Sequence, residues 1–330
     1  MTVVQDPVQA VRQAGGEPAA RLMARLEGRL AELATGHGAV LGRYAGDTIT
    51  AGGKRLRPLL LFLAAGAPPP ESEKLLRSAV AVELVHSATL VHDDVLDGSP
   101  LRRGRPTVMA SGGRLAATAT GDLLFSRAFA ELVQSRSVAS VQVLSVASSE
   151  LAAGELMQRA DAWRTVSVAR YLERCRLKTA VLFRAACELG ALEGHGANGA
   201  RGRRVRALGA FGERIGLAFQ LLDDILDVTG PPERTGKPRG ADLLDGTVNL
   251  PLIVGRERDP ELAALDPRSV TSTERAAEVC ARISATGALD VCRRRAHGLV
   301  AAAKAQLPEL PRQQRAALEM IADGVVERYS

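Results

Sequence analysis

Two short acidic motifs are the strongest chemical signal in the sequence. Residues 93–97 read DDVLD and residues 223–227 read DDILD, and each motif ends an apolar, helix-forming stretch. On an α-helix, residues four apart share a face, so the first and last aspartate of each motif stack while the middle one points about 100° away. Such like-charge pairs, and anions near a helix C-terminus, weaken a helix. The motifs therefore indicate a ligand that requires negative charge.

A divalent metal explains this pattern. Mg²⁺ prefers hard oxygen ligands, keeps several waters, and bridges one or two carboxylates to substrate phosphates. Two facing carboxylate helices can thus hold a small Mg²⁺ cluster around one diphosphate. A di-iron carboxylate bundle is rejected because it requires two Glu-x-x-His pairs, and only Glu83 and His86 have that spacing. The alternative of a solvated helix end explains a single motif better than it explains two.

Basic residues that complement the acidic motifs occur at four places along the chain. Residues 52–58, GGKRLRP, combine a glycine turn with three cations at the start of an apolar helix, an arrangement that favours anions. Residues 102–107 (RRGRPT) follow the first motif, Lys178-Thr179 lies in a helical stretch, and Gly236-Lys237 follows the second motif. With two metal motifs, these clusters predict a site for two diphosphates, one bound through Mg²⁺ and one directly by arginine and lysine. His86, seven residues before the first motif, lies on nearly the same helical face and is a further candidate ligand.

Composition limits the class of protein. The 330 residues carry a net charge of +6 and are 46% apolar and 24% charged, as in soluble globular proteins. Aromatic residues are only 3%, which argues against nucleic-acid binding by base stacking. Apolar runs such as residues 59–65 are too short for a membrane span, and polar residues interrupt any signal peptide. We therefore expect a cytoplasmic protein with no nucleic-acid partner and at most peripheral membrane contact.

The sequence predicts an all-α fold. Helix formers dominate the chain, and Leu22, Leu26 and Leu30 recur at helical spacing. Gly/Pro clusters at residues 66–71, 98–107, 111–113, 190–202, 230–240 and 259–273 predict loops that separate roughly ten to twelve helices. No segment has the character of an interdomain linker, so we expect a flexible tail over residues 1–17 and a single domain over residues 18–330. The cysteines at 175, 187, 280 and 292 form no CxxC pair, and we expect reduced, buried thiols.

The ordered set of motifs resembles the trans-isoprenyl diphosphate synthase (polyprenyl synthetase) family, in particular its medium- and long-chain all-trans members. In order, the motifs are GGKRLRP, ELVHSATLVHDDVLD (83–97), LRRGRPT (101–107), Gly121-Asp122, Lys178-Thr179, FQLLDDILD (219–227) and GKPRGADL (236–243). The resemblance covers about residues 20 to 325. It implies a single-domain helical bundle around a deep central cavity, usually a homodimer. The implied activity is the Mg²⁺-dependent, head-to-tail trans condensation of isopentenyl diphosphate with an allylic diphosphate.

The resemblance also implies roles for individual residues. Mg²⁺, three ions when diphosphate is bound, would be ligated by Asp93, Asp97 and Asp223, with Asp94, Asp224 and Asp227 completing the acidic motifs. Isopentenyl diphosphate would be bound by Lys54, Arg57, His86 and Arg103. The allylic diphosphate would be bound by Arg102, Lys178, Thr179, Gln220 and Lys237. The chain departs from the family at Thr247, in a segment reading GTVNLP, where the family commonly has lysine.

Product length in this family depends on residues just before the first motif. Four and five positions before it stand Thr89 and Ala88, which are both small, so the resemblance implies an open tunnel and a product longer than C20. Phe125 and Phe129, one turn apart, are candidate floor residues.

Two alternatives to a self-sufficient elongating enzyme stay open. One is a class I terpene cyclase, although such an enzyme needs no second diphosphate site. The other is the catalytic subunit of a two-component synthase.

Overall fold

The computed structural model describes residues 16–35, 39–50, 53–66, 69, 71–102, 104–194, 201–230 and 238–327. Across these ranges the chain is almost entirely helical, which confirms the all-α prediction. The exception among them is a hairpin of two-residue strands, β1 (Leu101–Arg102) and β2 (Arg105–Pro106), in which Arg102 pairs with Arg105.

The helices are numbered in chain order. They are α1 Gly16–Thr35, α2 Ala39–Thr50, α3 Leu56–Ala65, α4 Glu73–Asp97, α5 Val108–Gln134, α6 Val138–Asp161, α7 Val168–Cys175, α8 Val181–Gly194, α9 Arg201–Thr229, α10 Ala241–Leu244, α11 Leu250–Arg256, α12 Pro260–Ala264, α13 Thr273–Ala285, α14 Ala288–Ala305 and α15 Arg312–Glu327. A π-helical turn, Arg176–Ala180, joins α7 to α8, and a 3₁₀ turn, Pro267–Ser269, precedes α13.

Four predicted loops differ from the structure. Of the predicted loop 190–202, residues 190–194 lie in α8 and residues 201–202 begin α9. Residues 111–113 lie inside α5, where Gly113 has a φ of 77° and kinks the helix without ending it. Residues 98–107 contain the β1–β2 hairpin, and residues 259–273 contain α12. In addition, α1 begins at Gly16, so the last two residues predicted for the tail, 16 and 17, are helical. Glycine and proline therefore marked the irregular backbone correctly, but they did not distinguish a kink or a short helix from a loop.

The chain divides into two compact units. The first comprises residues up to 148 with 182–212 and 306–324, and the second comprises residues 149–181, 213–305 and 325–330. A single domain over residues 18–330 stays a prediction.

Helix α4 is the centre of the first unit. Its residues 78–85 are all buried, as expected for a helix that is apolar on every face, and it packs along α5. The Ser72 side chain accepts a hydrogen bond from the Leu75 amide at its N-terminus, and Gly98 ends it in the left-handed conformation, with a φ of 63°. This ending places the first aspartate motif in the last turns of a rigid, buried helix.

The second unit carries the second aspartate motif in the C-terminal part of α9. Ile225 and Val228 of that segment are buried, as are Ile253 of α11, Ile283 of α13 and Val300 of α14. All four cysteines of the chain are free and buried, as predicted. No helix in the described part of the chain combines the length and apolar character needed to cross a bilayer.

Close packing of α3 against α8 gives a test of the fold. A Cβ added at Gly190 would lie 2.1 Å from the Leu61 carbonyl oxygen, whereas one added at Gly28 of α1 would meet nothing within 4 Å. Gly190→Ala should therefore lower the free energy of unfolding by about 1–3 kcal/mol through overpacking. Gly28→Ala should raise it by about 0.5–1 kcal/mol, because alanine is the better helix former. Chemical denaturation of both variants measures the difference, and equal effects would contradict this packing.

Candidate active site

The first aspartate motif presents two of its carboxylates and buries the third. Asp93 is half-buried and Asp97 is exposed, whereas Asp94 is buried. The Arg102 guanidinium donates to Asp94 Oδ1 from Nε at 2.9 Å and from Nη2 at 2.8 Å. The β1–β2 hairpin therefore folds back onto the motif and neutralises the aspartate that points away from its neighbours. The helical spacing predicted this direction for Asp94, but it did not predict Arg102 as the partner.

A cavity of about 280 Å³ lies beside this ion pair, between α2, the end of α4, the hairpin and the start of α5. Its lining includes Arg43 and Arg105 in addition to Arg102 and Asp94. The surroundings of the buried aspartate are therefore rich in arginine. The neighbouring Arg103, predicted to bind isopentenyl diphosphate, lies outside the described residues.

His92, directly before the first motif, fixes α4 against α5. A Cβ on Gly121 would lie 2.1 Å from His92 Nε2, so only glycine leaves room for the imidazole. His92 Nε2 is 3.5 Å from Asp122 Oδ1, and its ring stacks on Phe125 with centroids 5.8 Å apart. The Gly121-Asp122 motif thus has a packing role. The sequence singled out Phe125 and Gly121 but missed His92.

The glycine-rich turn before α3 separates its three cations. Arg57 is half-buried, and its guanidinium lies 4.5 Å from the centre of the Phe183 ring, a cation–π contact. Lys54 is half-buried. The side chain of Arg55 is buried and forms an ion pair with Glu83. His86, on α4 of the same unit, is half-buried. The turn therefore consists of two accessible cations on either side of a buried one.

The second motif repeats the division found in the first. Asp223 is exposed, Asp227 is half-buried and Asp224 is buried. Tyr171 Oη donates to Asp224 Oδ2 at 2.6 Å, and Gln220 Nε2 donates to Asp224 Oδ1 at 2.8 Å. Burial and the charge of Asp242 raise the pKa of Asp224, against the opposing effect of these two hydrogen bonds. Burial and the adjacent Asp224 raise the pKa of Tyr171 well above its usual value.

Residues Lys178 and Thr179 lie in the π-helical turn, an irregularity that is frequent at functional sites. Thr179 Oγ1 donates to Gln220 Oε1 at 2.7 Å, which extends the hydrogen-bonded chain from Asp224 to this turn. Lys178 Nζ is 2.6 Å from Glu155 Oε2. A Cβ on Gly154 would lie 2.6 Å from the Lys178 amide nitrogen, so Gly154 permits the close approach of α6. The sequence placed Lys178 and Thr179 in a helical stretch, as found, but it did not predict the π-helical turn or the contact with Glu155.

The loop that contains Thr247, where the resemblance implies a lysine, is well anchored. The Trp163 amide donates to the Gly246 carbonyl at 2.8 Å, and Arg174 Nη2 donates to the Val248 carbonyl at 2.6 Å. Asn249 Oδ1 accepts from the Leu252 amide at 3.2 Å and caps α11. Thr247 therefore changes the charge of the loop and leaves its backbone supported. Lys237, the other predicted cation of this region, lies outside the described residues.

The predicted chain-length residues lie on α4 and α5. Ala88 is fully buried, and Thr89 is half-buried with its hydroxyl donating to the His86 carbonyl at 2.8 Å. Phe125 and Phe129 are both half-buried on α5, the helix that packs along α4. The two small residues and the two aromatic residues therefore belong to one packed helix pair.

The donor set of the aspartate motifs fits a hard divalent cation. The accessible groups are carboxylate oxygens, and stacked aspartates can supply one or two of the six ligands that Mg²⁺ takes, with water and phosphate completing the shell. Among the described side chains, no three His, Cys, Asp or Glu residues stand close enough to form a metal site alone.

Comparison with known proteins identifies the class as prenyl-transferring enzymes of all-α fold. The polyprenyl synthetase family model matches residues 39–284. Heptaprenyl diphosphate synthase component 2 of Geobacillus stearothermophilus is 42% identical over 255 residues, which are 77% of this chain and 78% of that protein. Geranylgeranyl diphosphate synthase of Methanosarcina mazei is 37% identical over 287 residues, which are 85% of this chain and 87% of that protein.

A solved structure supports the same class of protein. The crystal structure of polyprenyl synthase from Caulobacter crescentus, complexed with calcium and isoprenyl diphosphate, is 36% identical, covers 98% of each chain and has a TM-score of 0.88. The chain therefore belongs to the polyprenyl synthetase family.

Removing the Tyr171 hydroxyl tests the hydrogen-bonded chain at the second motif. Tyr171→Phe should lower the free energy of unfolding by about 1–3 kcal/mol, because a buried carboxylate loses a donor. Tyr44→Phe, which deletes the same atom from a half-buried tyrosine of the first unit, should change stability by less than about 0.5 kcal/mol. Urea denaturation of the two variants measures both values, and an unchanged Tyr171→Phe would contradict the role of this bond.

Proposed function

We propose that the chain catalyses the Mg²⁺-dependent, head-to-tail trans condensation of isopentenyl diphosphate with an allylic diphosphate to give a polyprenyl diphosphate longer than C20. The observation that carries the proposal is the difference in burial between the outer and the middle aspartates, which both motifs share. In each, the first and last carboxylates are accessible or half-buried, and the middle one is buried and hydrogen-bonded. That arrangement suits a metal site in which the outer carboxylates bind the ion and the buried middle carboxylate holds the motif in place.

In this proposal Asp93, Asp97 and Asp223 ligate three Mg²⁺ ions when diphosphate is bound, and Asp227 completes the second motif. The bound ions supply Lewis-acid stabilisation of the diphosphate leaving group. Asp94 and Asp224 hold the two motifs in place through Arg102 and Tyr171. The related Caulobacter crescentus structure, with calcium and isoprenyl diphosphate, supports a divalent cation beside a diphosphate.

The predicted diphosphate ligands divide into two sets, one for each substrate. Lys54, Arg57, His86 and Arg103 bind isopentenyl diphosphate, and Arg102, Lys178, Thr179, Gln220 and Lys237 bind the allylic diphosphate. These contacts stabilise charge on the departing diphosphate and hold the allylic carbon close to the double bond of isopentenyl diphosphate. The allylic C–O bond then ionises, the double bond of isopentenyl diphosphate attacks the allylic cation, and a proton leaves to the departed diphosphate. Buried apolar residues of α4 exclude the water that would quench the cation.

The proposed product length follows from α4. Between Ala88 and Ala81, which are both fully buried, α4 rises roughly 10 Å, on the order of two isoprene units. The small side chains of Ala81 and Ala88 would leave room for a growing chain, whose end would meet Phe125 or Phe129 on α5. The relatives described above are named for C20 and C35 products, so the family accommodates this range.

We further propose a homodimer in the cytoplasm, with at most peripheral membrane contact and no nucleic-acid partner. Four buried free thiols support a reducing compartment. The relative named component 2 makes the catalytic subunit of a two-component synthase the second candidate. A terpene cyclase is disfavoured because it has no use for a second diphosphate site at the GGKRLRP turn.

A product assay tests the reaction and its metal. The purified chain, incubated with Mg²⁺, labelled isopentenyl diphosphate and farnesyl diphosphate, should give products beyond C20, and EDTA should abolish them. Asp97→Asn should lower kcat/KM by about a hundredfold or more, because a metal ligand is lost. Asp290→Asn, an exposed aspartate on α14, is the control and should change it by less than about twofold. No incorporation by the wild-type chain alone would favour a required second subunit, and hydrocarbon formation would favour a cyclase.

Product length is tested at Ala88. Ala88→Phe should shorten the product by filling the tunnel next to the first motif, while Ala88→Ser, which adds a single oxygen, should leave the product distribution unchanged. Chromatography of the dephosphorylated products measures both. An unchanged distribution from a folded, active Ala88→Phe enzyme would remove Ala88 as the gate.

A further inference from the structure

The GGKRLRP turn contains a cation that does not fit a binding role. Arg55 lies between Lys54 and Arg57, but its side chain is only 4% exposed. Its backbone is left-handed, with φ 47° and ψ 40°, a conformation that an arginine keeps only where its surroundings impose it. The contacts of the Arg55 side chain show what imposes it.

Arg55 joins three helices of the first unit. Its Nη1 donates to Glu83 Oε1 on α4 at 2.7 Å, and its Nε donates to Glu27 Oε1 on α1 at 3.0 Å. Its Nη2 donates to the Ile49 carbonyl of α2 at 2.8 Å. Burial alone lowers the pKa of Arg55, but Glu27 and Glu83 outweigh burial and the pKa lies above its usual value. Arg55 is therefore charged and fully engaged with protein groups.

The two carboxylates differ in environment. The Glu83 side chain is 6% exposed, whereas that of Glu27 is 48% exposed. Loss of a buried partner leaves an uncompensated charge in the interior, while loss of an exposed one is compensated by water. The Arg55–Glu83 pair is thus the rigid part of this cluster.

Glu83 is three residues before His86, so the two lie one turn apart on α4. Arg55 directly follows Lys54 and stands two residues before Arg57. The ion pair therefore ties Lys54 and the first turn of α3, which carries Arg57, to the turn of α4 that carries the third predicted isopentenyl diphosphate ligand, His86.

We propose that Arg55 and Glu83 are positioning residues that hold Lys54 and Arg57 in register with His86 for binding isopentenyl diphosphate. This inference rests on the proposed function, in which those three residues bind that substrate. A displacement of the turn would separate the cations from the histidine and weaken binding of isopentenyl diphosphate without touching the allylic diphosphate ligands.

A second buried carboxylate in the same unit provides a matched control. Glu131 of α5 is 5% exposed and pairs with Arg29 of α1 at 2.7 Å and Arg77 of α4 at 2.8 Å. It thus joins two of the helices that Arg55 joins, is buried to a similar extent as Glu83, and pairs with two arginines where Glu83 pairs with one. Arg77 precedes His86 by nine residues, more than two helical turns, so this cluster does not border the predicted ligands.

The experiment compares Glu83→Gln with Glu131→Gln by steady-state kinetics and thermal denaturation. Both variants should lower Tm, because each removes the charge of a buried carboxylate that is paired with arginine. Glu83→Gln should also raise KM for isopentenyl diphosphate by about tenfold and leave KM for farnesyl diphosphate within about twofold. Glu131→Gln should leave both KM values within about twofold.

Arg55→Lys gives an independent measurement, and it carries the test if Glu83→Gln does not fold. Lysine keeps the charge but loses the forked geometry, so KM for isopentenyl diphosphate should rise by less than in Glu83→Gln. Unchanged KM values in a folded variant, or equal rises for both substrates, would overturn the positioning role. Lys54→Ala separates this inference from the proposed function, because an unchanged KM for isopentenyl diphosphate there would refute the binding assignment itself.

Discussion

The placement of buried carboxylates near helix ends is the constraint on which the site depends. A carboxylate removed from water costs several kcal/mol unless it is paired or hydrogen-bonded. Asp94 meets this requirement through Arg102 of the β1–β2 hairpin, and Asp224 meets it through Tyr171 and Gln220. Gln220 lies one turn before Asp224 on α9, but Arg102 and Tyr171 come from other segments of the chain, so satisfying the two carboxylates also fixes the hairpin against α4 and α7 against α9.

The same physical rule organises the cationic turn with the signs reversed. Arg55 is the buried charge, Glu83 is its partner, and the neighbouring Lys54 and Arg57 remain at least partly accessible. In the two aspartate motifs and the cationic turn alike, a buried charged residue that is paired inside the protein therefore lies between more accessible residues suited to binding a ligand. Within each unit this arrangement holds a charged segment in shape, and preorganised charge is what the proposed reaction, with its anionic leaving group, requires.

Local patterns predicted the features that depend on helix geometry. The all-α class follows from the dominance of helix formers, and spacing alone predicts that Asp94 and Asp224 point away from the stacked pair of each motif. Their burial was not predicted. The contact between Tyr171 and Asp224 was beyond prediction, because the two residues are 53 apart in sequence and no local pattern records it. The π-helical turn at Lys178 and the inward rotation of Arg55 were missed for the same reason, since both are imposed by tertiary packing at Gly154 and Glu83.

The dependence of isopentenyl diphosphate incorporation on Mg²⁺ concentration, measured for Asp93→Asn and Asp94→Asn, tests this account most directly. If the outer aspartate is a metal ligand and the middle one an anchor, Asp93→Asn should raise the Mg²⁺ concentration for half-maximal rate by about tenfold or more, with Tm little changed. Asp94→Asn should lower Tm and leave that concentration within about twofold of wild type. A larger shift in Mg²⁺ requirement for Asp94→Asn, without loss of Tm, would contradict the division of roles.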